Sequence, residues 1–214
     1  MLNVLRRGAH GKGAAGLLVV MCHGVGADAA QMELFFDAWA MSLPNVAFLA
    51  PDGPEPFEWD PGAGRQWFGL RDRTPSVLRA GAARAAPLLD AAIDAECARL
   101  GLAAHRVALG GFSQGAMMTL HAGLRRVPPP LALRAYSGAM LPTRAEDLSG
   151  RPPVLLVHGE LDGVVPWERA TQAESLLRRL DVPVETCWRP GLEHSVDAEG
   201  VAAGLALLRR VAGA

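Results

Sequence analysis

Residues 109–120 read L-G-G-F-S-Q-G-A-M-M-T-L, with Gly111 and Gly115 two positions either side of Ser113. The serine follows a strand-like run and opens a helix-like one. In a G-x-S-x-G turn the hydroxyl is held out at the end of a strand, and small neighbours prevent collision. The following helix points its positive end at the site, which favours a developing negative charge. The same letters also suit a phosphate-cradling loop. That reading lacks the Gly-Lys-Ser/Thr ending and the six-residue dinucleotide glycine spacing. A serine hydroxyl is a poor nucleophile until a base takes its proton and an acid orients the base. Ser113 therefore needs partners elsewhere in the chain.

The sequence holds both, in the order serine, acid, histidine. After V-L-L-V comes H-G-E-L-D, ending at Asp162; after V-E-T-C-W-R comes P-G-L-E-H-S, carrying His194. Each follows a strand-like run, so both are expected on strand-to-helix loops at the same sheet edge as Ser113. His10, His105 and His121 lie in a glycine-rich stretch, before a strand and within a helix, and His23 and His158 open H-G turns suited to structural hydrogen bonds. Acyl transfer also needs donors for an oxyanion. The backbone N–H after the nucleophile is that of Gln114, and the turn C-H-G-V-G-A-D after an early strand offers Val25 N–H. Met117 and Met118 are ambiguous between substrate contact and core, with at least one expected in the core.

Alternating short and long segments position these groups. Residues 17–22, 46–50, 107–111, 133–137, 154–158 and 184–188 have strand length, and several are apolar on both faces, as buried parallel strands are. Ala29–Ser42, Ser76–Leu100, Gln114–Arg126, Trp167–Leu180 and Asp197–Val211 have helical length and spacing. This alternation predicts an α/β fold with a mostly parallel central sheet and helices on both faces. Residues 51–75 have no clear period but contain Phe57, Trp59, Trp67 and Phe68. Such a segment is either pinned to the body by its aromatics or a wall of a binding site, and the two are compatible.

At 214 residues the chain suits one domain, residues 1–214, without room for a large lid domain. A formal net charge of −1 gives no reason to expect nucleic acid or an anionic membrane surface as partner. Cys22, Cys97 and Cys187 fit neither a disulfide framework nor a zinc site and suggest a reducing compartment. The N-terminal arginines precede an apolar run only as long as a strand, with no clean cleavage site, and no stretch suits stable membrane insertion. These features predict a cytoplasmic protein.

With these residues assembled, the chain resembles the phospholipase/carboxylesterase family of α/β-hydrolases, which includes acyl-protein thioesterases and small bacterial carboxylesterases. H-G-V-G-A-D (23–28), G-F-S-Q-G-A (111–116), H-G-E-L-D-G-V-V-P (158–166) and H-S-V-D-A-E-G (194–200) match its pattern in order. The resemblance implies Ser113, Asp162 and His194 as triad and Val25 and Gln114 as oxyanion donors. It places Trp67 and Phe68 on the acyl or substrate cleft, with Val164 and Val165 beside it. It implies a serine carboxylesterase acting on small-molecule esters with short-to-medium acyl groups, aryl esters included, without cofactor or metal. Lysophospholipids or acyl thioesters are alternative substrates. A non-catalytic ligand-binding member of the fold is an alternative of another class, since fold alone does not secure activity. A homodimer is compatible with the family, though no sequence feature requires it. Gly69, Gly163 and Glu193 depart from common family residues, and Glu193 is placed to act on His194 should its side chain turn inward.

Overall fold

The computed structural model describes residues 2–213. Six runs pair in parallel register: β2 (Leu17–Cys22), β3 (Val46–Pro51), β6 (Val107–Phe112), β7 (Ala132–Tyr136), β8 (Val154–Gly159) and β9 (Val184–Arg189). A seventh strand, β1 (Val4–Arg7), lies antiparallel to β3, with Val4 opposite Pro51 and Arg7 opposite Phe48. The strand order is β1-β3-β2-β6-β7-β8-β9. A separate two-stranded ribbon, β4 (Glu55–Pro56) with β5 (Arg65–Gln66), gives the long aperiodic segment a hairpin of its own.

Every residue of β2 and β3 is buried, as expected for strands covered on both faces. On β2, Leu18, Val20 and Cys22 belong to one core, while Leu17, Val19 and Met21 belong to the other. Helices α2 (Pro75–Leu100), α3 (Gln114–Gly123) and α4 (Trp167–Arg179) pack on the first face; α1 (Glu33–Ala40) and α5 (Ala198–Ala212) cover the second. Helix α2 starts at Pro75, whose missing N–H is tolerated there, and ends at Gly101 in the left-handed conformation. The predicted helix 29–42 divides into a 3-10 turn at Ala29–Met32, capped by Asp28, and α1.

This winding leaves a crevice at one edge of the sheet. From β2 the chain moves outward to β3, and β6 returns to the opposite side of β2. The helix after β2 therefore lies on one face and the helix after β6 on the other. The carboxyl ends of β2 and β6 are left open between them, the usual ligand position in an open α/β sheet.

Candidate active site

Ser113 follows β6 directly and stands at the head of α3 with φ 55° and ψ −117°. That region is costly for a side chain bearing Cβ, and such strain is found where surrounding structure imposes it. Here the imposing contacts are identifiable. A Cβ on Gly111 would strike the backbone of Gly115, and a Cβ on Gly115 would strike the carbonyls of Cys22 and His23. The G-x-S-x-G glycines thus let β6, α3 and the end of β2 approach closely. Ser113 N–H donates to Tyr136 O at 2.8 Å, fixing the turn against β7.

His194 Nε2 lies 3.0 Å from Ser113 Oγ, and His194 Nδ1 lies 2.7 Å from Asp162 Oδ2. Asp162 is buried, and its Oδ1 accepts the N–H groups of Val164 at 2.9 Å and Val165 at 2.8 Å. Both carboxylate oxygens are thereby committed, which fixes the plane presented to the imidazole. The two loops are laced by main-chain bonds, Glu160 N–H to Arg189 O and Leu161 N–H to Leu192 O, both at 3.0 Å. Ser137 Oγ donates to the carbonyl of Ser195, beside the histidine, at 3.3 Å. Phe112 packs against the His194 ring with centroids 4.9 Å apart. Glu193 is exposed and makes no hydrogen bond or ion pair with His194 among the described residues.

Val25, after β2, and Gln114, the first residue of α3, border Ser113 from two sides. Val25 N–H makes no bond within the protein among the described residues, and Gln114 N–H belongs to the first helical turn, where no intrahelical acceptor exists. The Gln114 side chain has a second task that its sequence position did not announce. Its Oε1 accepts from Trp67 N–H at 2.9 Å and its Nε2 donates to Phe68 O at 2.6 Å. His23 acts similarly: Nδ1–H donates to Gly24 O at 2.7 Å, and Nε2 accepts Gly53 N–H at 2.8 Å. Burial lowers the His23 pKa, consistent with the neutral tautomer those two bonds require. Further ties are Trp67 Nε1–H to His23 O at 3.0 Å and the paired main-chain bonds of Arg65 with Gly26 and Ala27 at 2.8 Å.

Trp67 and Phe68 depart from the expected cleft position. Both have 0% exposed surface and belong to the core that contains α2 and α3. They fill the space beneath the segment, where Phe68 packs against Gly81, and present nothing to a substrate. The segment is pinned by its aromatics, and the walling role falls to its end: Arg73 and Pro75 border a pocket that the body of the segment does not reach.

A cavity of about 280 Å³ opens over Ser113 and His194, bordered by Gly24, Val25, Met32, Phe112 and Val164. Through Met32 and Phe112 it adjoins a groove of about 390 Å³ that includes Leu34, Phe35, Val196 and Val201. Through Val164 it adjoins the pocket of Arg73, about 210 Å³, which also contains Leu78, Met117, Leu141 and Val165. Val164 thus borders both the cavity and this pocket, and Val165 borders the pocket. Met118 is in the core and Met117 lines the pocket. Gln31, Met32 and Phe112 were not anticipated; the available signal was Asp28, a helix-capping residue placed directly after the H-G-V-G-A turn. Among the described residues no three His, Cys, Asp or Glu side chains assemble as a metal site requires.

A family model described as phospholipase/carboxylesterase matches residues 9–210. The chain belongs to the phospholipase/carboxylesterase family. Esterase YpfH of Escherichia coli (strain K12) is a relative 30% identical over 196 residues, covering 90% of this chain and 82% of its own. Acyl-protein thioesterase 1 of Gibberella zeae is 33% identical over 117 residues, 51% of this chain; the match spans 50% of that relative's length. Among solved structures, esterase PE8 superposes with a TM-score of 0.91 at 35% identity, covering 98% of this chain and 99% of that one. Arabidopsis thaliana SOBER1, at 23% identity and a TM-score of 0.79 over 91% of this chain and 98% of that one, shares the fold. The family places the chain among serine hydrolases on the α/β-hydrolase fold. Among the described residues no helix is long and apolar enough to cross a membrane.

Proposed function

We propose that the chain, as one catalytic domain, hydrolyses short-to-medium acyl esters, aryl esters included, through an acyl-enzyme on Ser113. The observation carrying this reading is the pair of contacts through His194, 3.0 Å to Ser113 Oγ and 2.7 Å to Asp162 Oδ2, at the head of a strained turn. His194 takes the serine proton as Ser113 attacks the acyl carbonyl, and Asp162 stabilises the imidazolium that forms. The N–H groups of Val25 and Gln114 receive the oxyanion. His194 then protonates the leaving group, and water repeats the sequence to release the acid.

The directions follow from these roles. The carbonyl oxygen turns toward Val25 and Gln114, and the leaving group departs on the side of His194. That side adjoins the apolar groove with Phe35, Phe112 and Val196, which supports an aryl or otherwise apolar leaving group. The acyl chain takes the remaining direction, toward Val164 and Met117. The relative named acyl-protein thioesterase 1 favours acyl thioesters as a second substrate class.

The test is Ser113→Ala with p-nitrophenyl butyrate and a fluorophosphonate probe. Turnover and labelling both disappear on this reading. Turnover retained by the variant overturns it, and a wild-type protein that takes up no probe points to a ligand-binding role.

A further inference from the structure

The pocket assigned to the acyl chain has mostly apolar walls but counts two arginines among its lining residues. Arg73 comes from the end of the long segment after β3, and Arg169 from the first turn of α4. Both are exposed. Neighbouring arginines are matched by carboxylates: Arg71 with Glu58, Arg79 and Arg125 with Asp147, and Arg178 with Glu174. Arg73 and Arg169 have no such partner among the described residues. Arg73 donates only to the Leu70 carbonyl, at 3.4 Å. The adjacent Asp72 carboxylate is turned to its own backbone, accepting Thr74 N–H at 2.8 Å. Two elements distant in sequence thus bring uncompensated positive charge to one apolar pocket.

Resting on the esterase reading above, we infer that the preferred acyl group ends in an anion: a half-ester of a dicarboxylic acid, its methylenes along Leu78, Met117 and Val164 and its carboxylate at Arg73 and Arg169. A guanidinium offers paired N–H donors matched to a carboxylate. The apolar wall rewards the intervening methylenes, as it would for a simple fatty acyl chain. The charge, and not the chain length, distinguishes the two substrates. Arg73 and Arg169 are specificity residues; neither touches the reacting carbonyl.

The experiment compares two esters of equal chain length and identical leaving group, p-nitrophenyl hexanoate and the mono-p-nitrophenyl ester of adipic acid. Wild-type protein is expected to favour the adipate ester in kcat/KM, with a preference that weakens as sodium chloride is raised. At a solvent-exposed position each arginine contributes about three- to fivefold. Arg73→Gln together with Arg169→Gln should therefore lower the adipate-to-hexanoate ratio of kcat/KM about tenfold. A wild-type protein indifferent to the terminal carboxylate overturns the inference, as does a preference that survives in the double variant. Hexanoate hydrolysis abolished by Ser113→Ala isolates the esterase reading, which stands whichever way the adipate comparison falls.

Discussion

Replacing Gln114 by leucine should damage the protein through the loop, not the helix. The side chain satisfies one buried N–H and one buried C=O, at Trp67 and Phe68, and both residues have 0% exposed surface, so water cannot take its place. Leucine has similar bulk and a better helix propensity, so packing and helix formation are not the cause of any loss. A buried polar group left unsatisfied costs about 1–3 kcal/mol, and two are orphaned here, giving a loss of about 2–6 kcal/mol. For a chain of this length each kcal/mol moves Tm by about 2–4 °C, so a fall near 10 °C is expected. Urea unfolding at neutral pH, followed by tryptophan fluorescence, gives the free energy directly. Gln114→Glu sharpens the test. A carboxylate still accepts Trp67 N–H but faces the Phe68 carbonyl without a proton to donate. Lowering the pH protonates it and should recover part of the loss. A leucine variant within about 0.5 kcal/mol of wild type refutes the reasoning, because it would show the loop held by other contacts.

Other consequences are open to measurement. Asp162→Asn keeps the shape of the site but misplaces the imidazole tautomer, and kcat for p-nitrophenyl butyrate should fall by about 10³–10⁴. Burial lowers the pKa of His23 and His158, and burial aided by Arg125 lowers that of His121 to about 4. Each of these histidines favours folding while neutral. Their contribution is present above the unfolded value near 6.5 and is lost as pH falls through that value toward the folded ones, so the urea midpoint should drop between pH 7.5 and pH 5. Arg134 is fully buried over Trp39, with its Cζ 4.7 Å from the ring and, among the described residues, no carboxylate partner, and burial brings its pKa down to about 10. Arg134→Met should hold or raise Tm; a fall of more than a few degrees would show the cation–π contact to outweigh the desolvation.

The meeting of Ser113, Asp162 and His194 was legible because each follows a strand of recognisable length. Ser113, Asp162 and His194 could be placed on one sheet edge from the apolar runs before them. The Trp67–Phe68 pair was not legible, because a bulky aromatic pair fills a core as well as it lines a cleft. What decides is Gly81 on α2, a small residue distant in sequence that makes room for Phe68. Strand β1 escaped notice for a different reason. It is short and only half-buried at the sheet edge, so it lacks the continuous apolar run that marks the central strands. The side-chain role of Gln114 was hidden behind the backbone role proposed for it, since one letter cannot report two partners.

Gln114 and His23 grip the segment after β3 by its main chain: Gly53 N–H, Trp67 N–H and Phe68 C=O. A clamp on backbone atoms is indifferent to the side chains between its jaws. The exposed hairpin tip, residues 60–63, is therefore the part of the segment open to exchange, by drift or by grafting, while the turn after β2 beneath it keeps its shape. On the esterase reading proposed above, such a scaffold would let Arg73 at the end of the segment change without moving Ser113, Asp162 or His194.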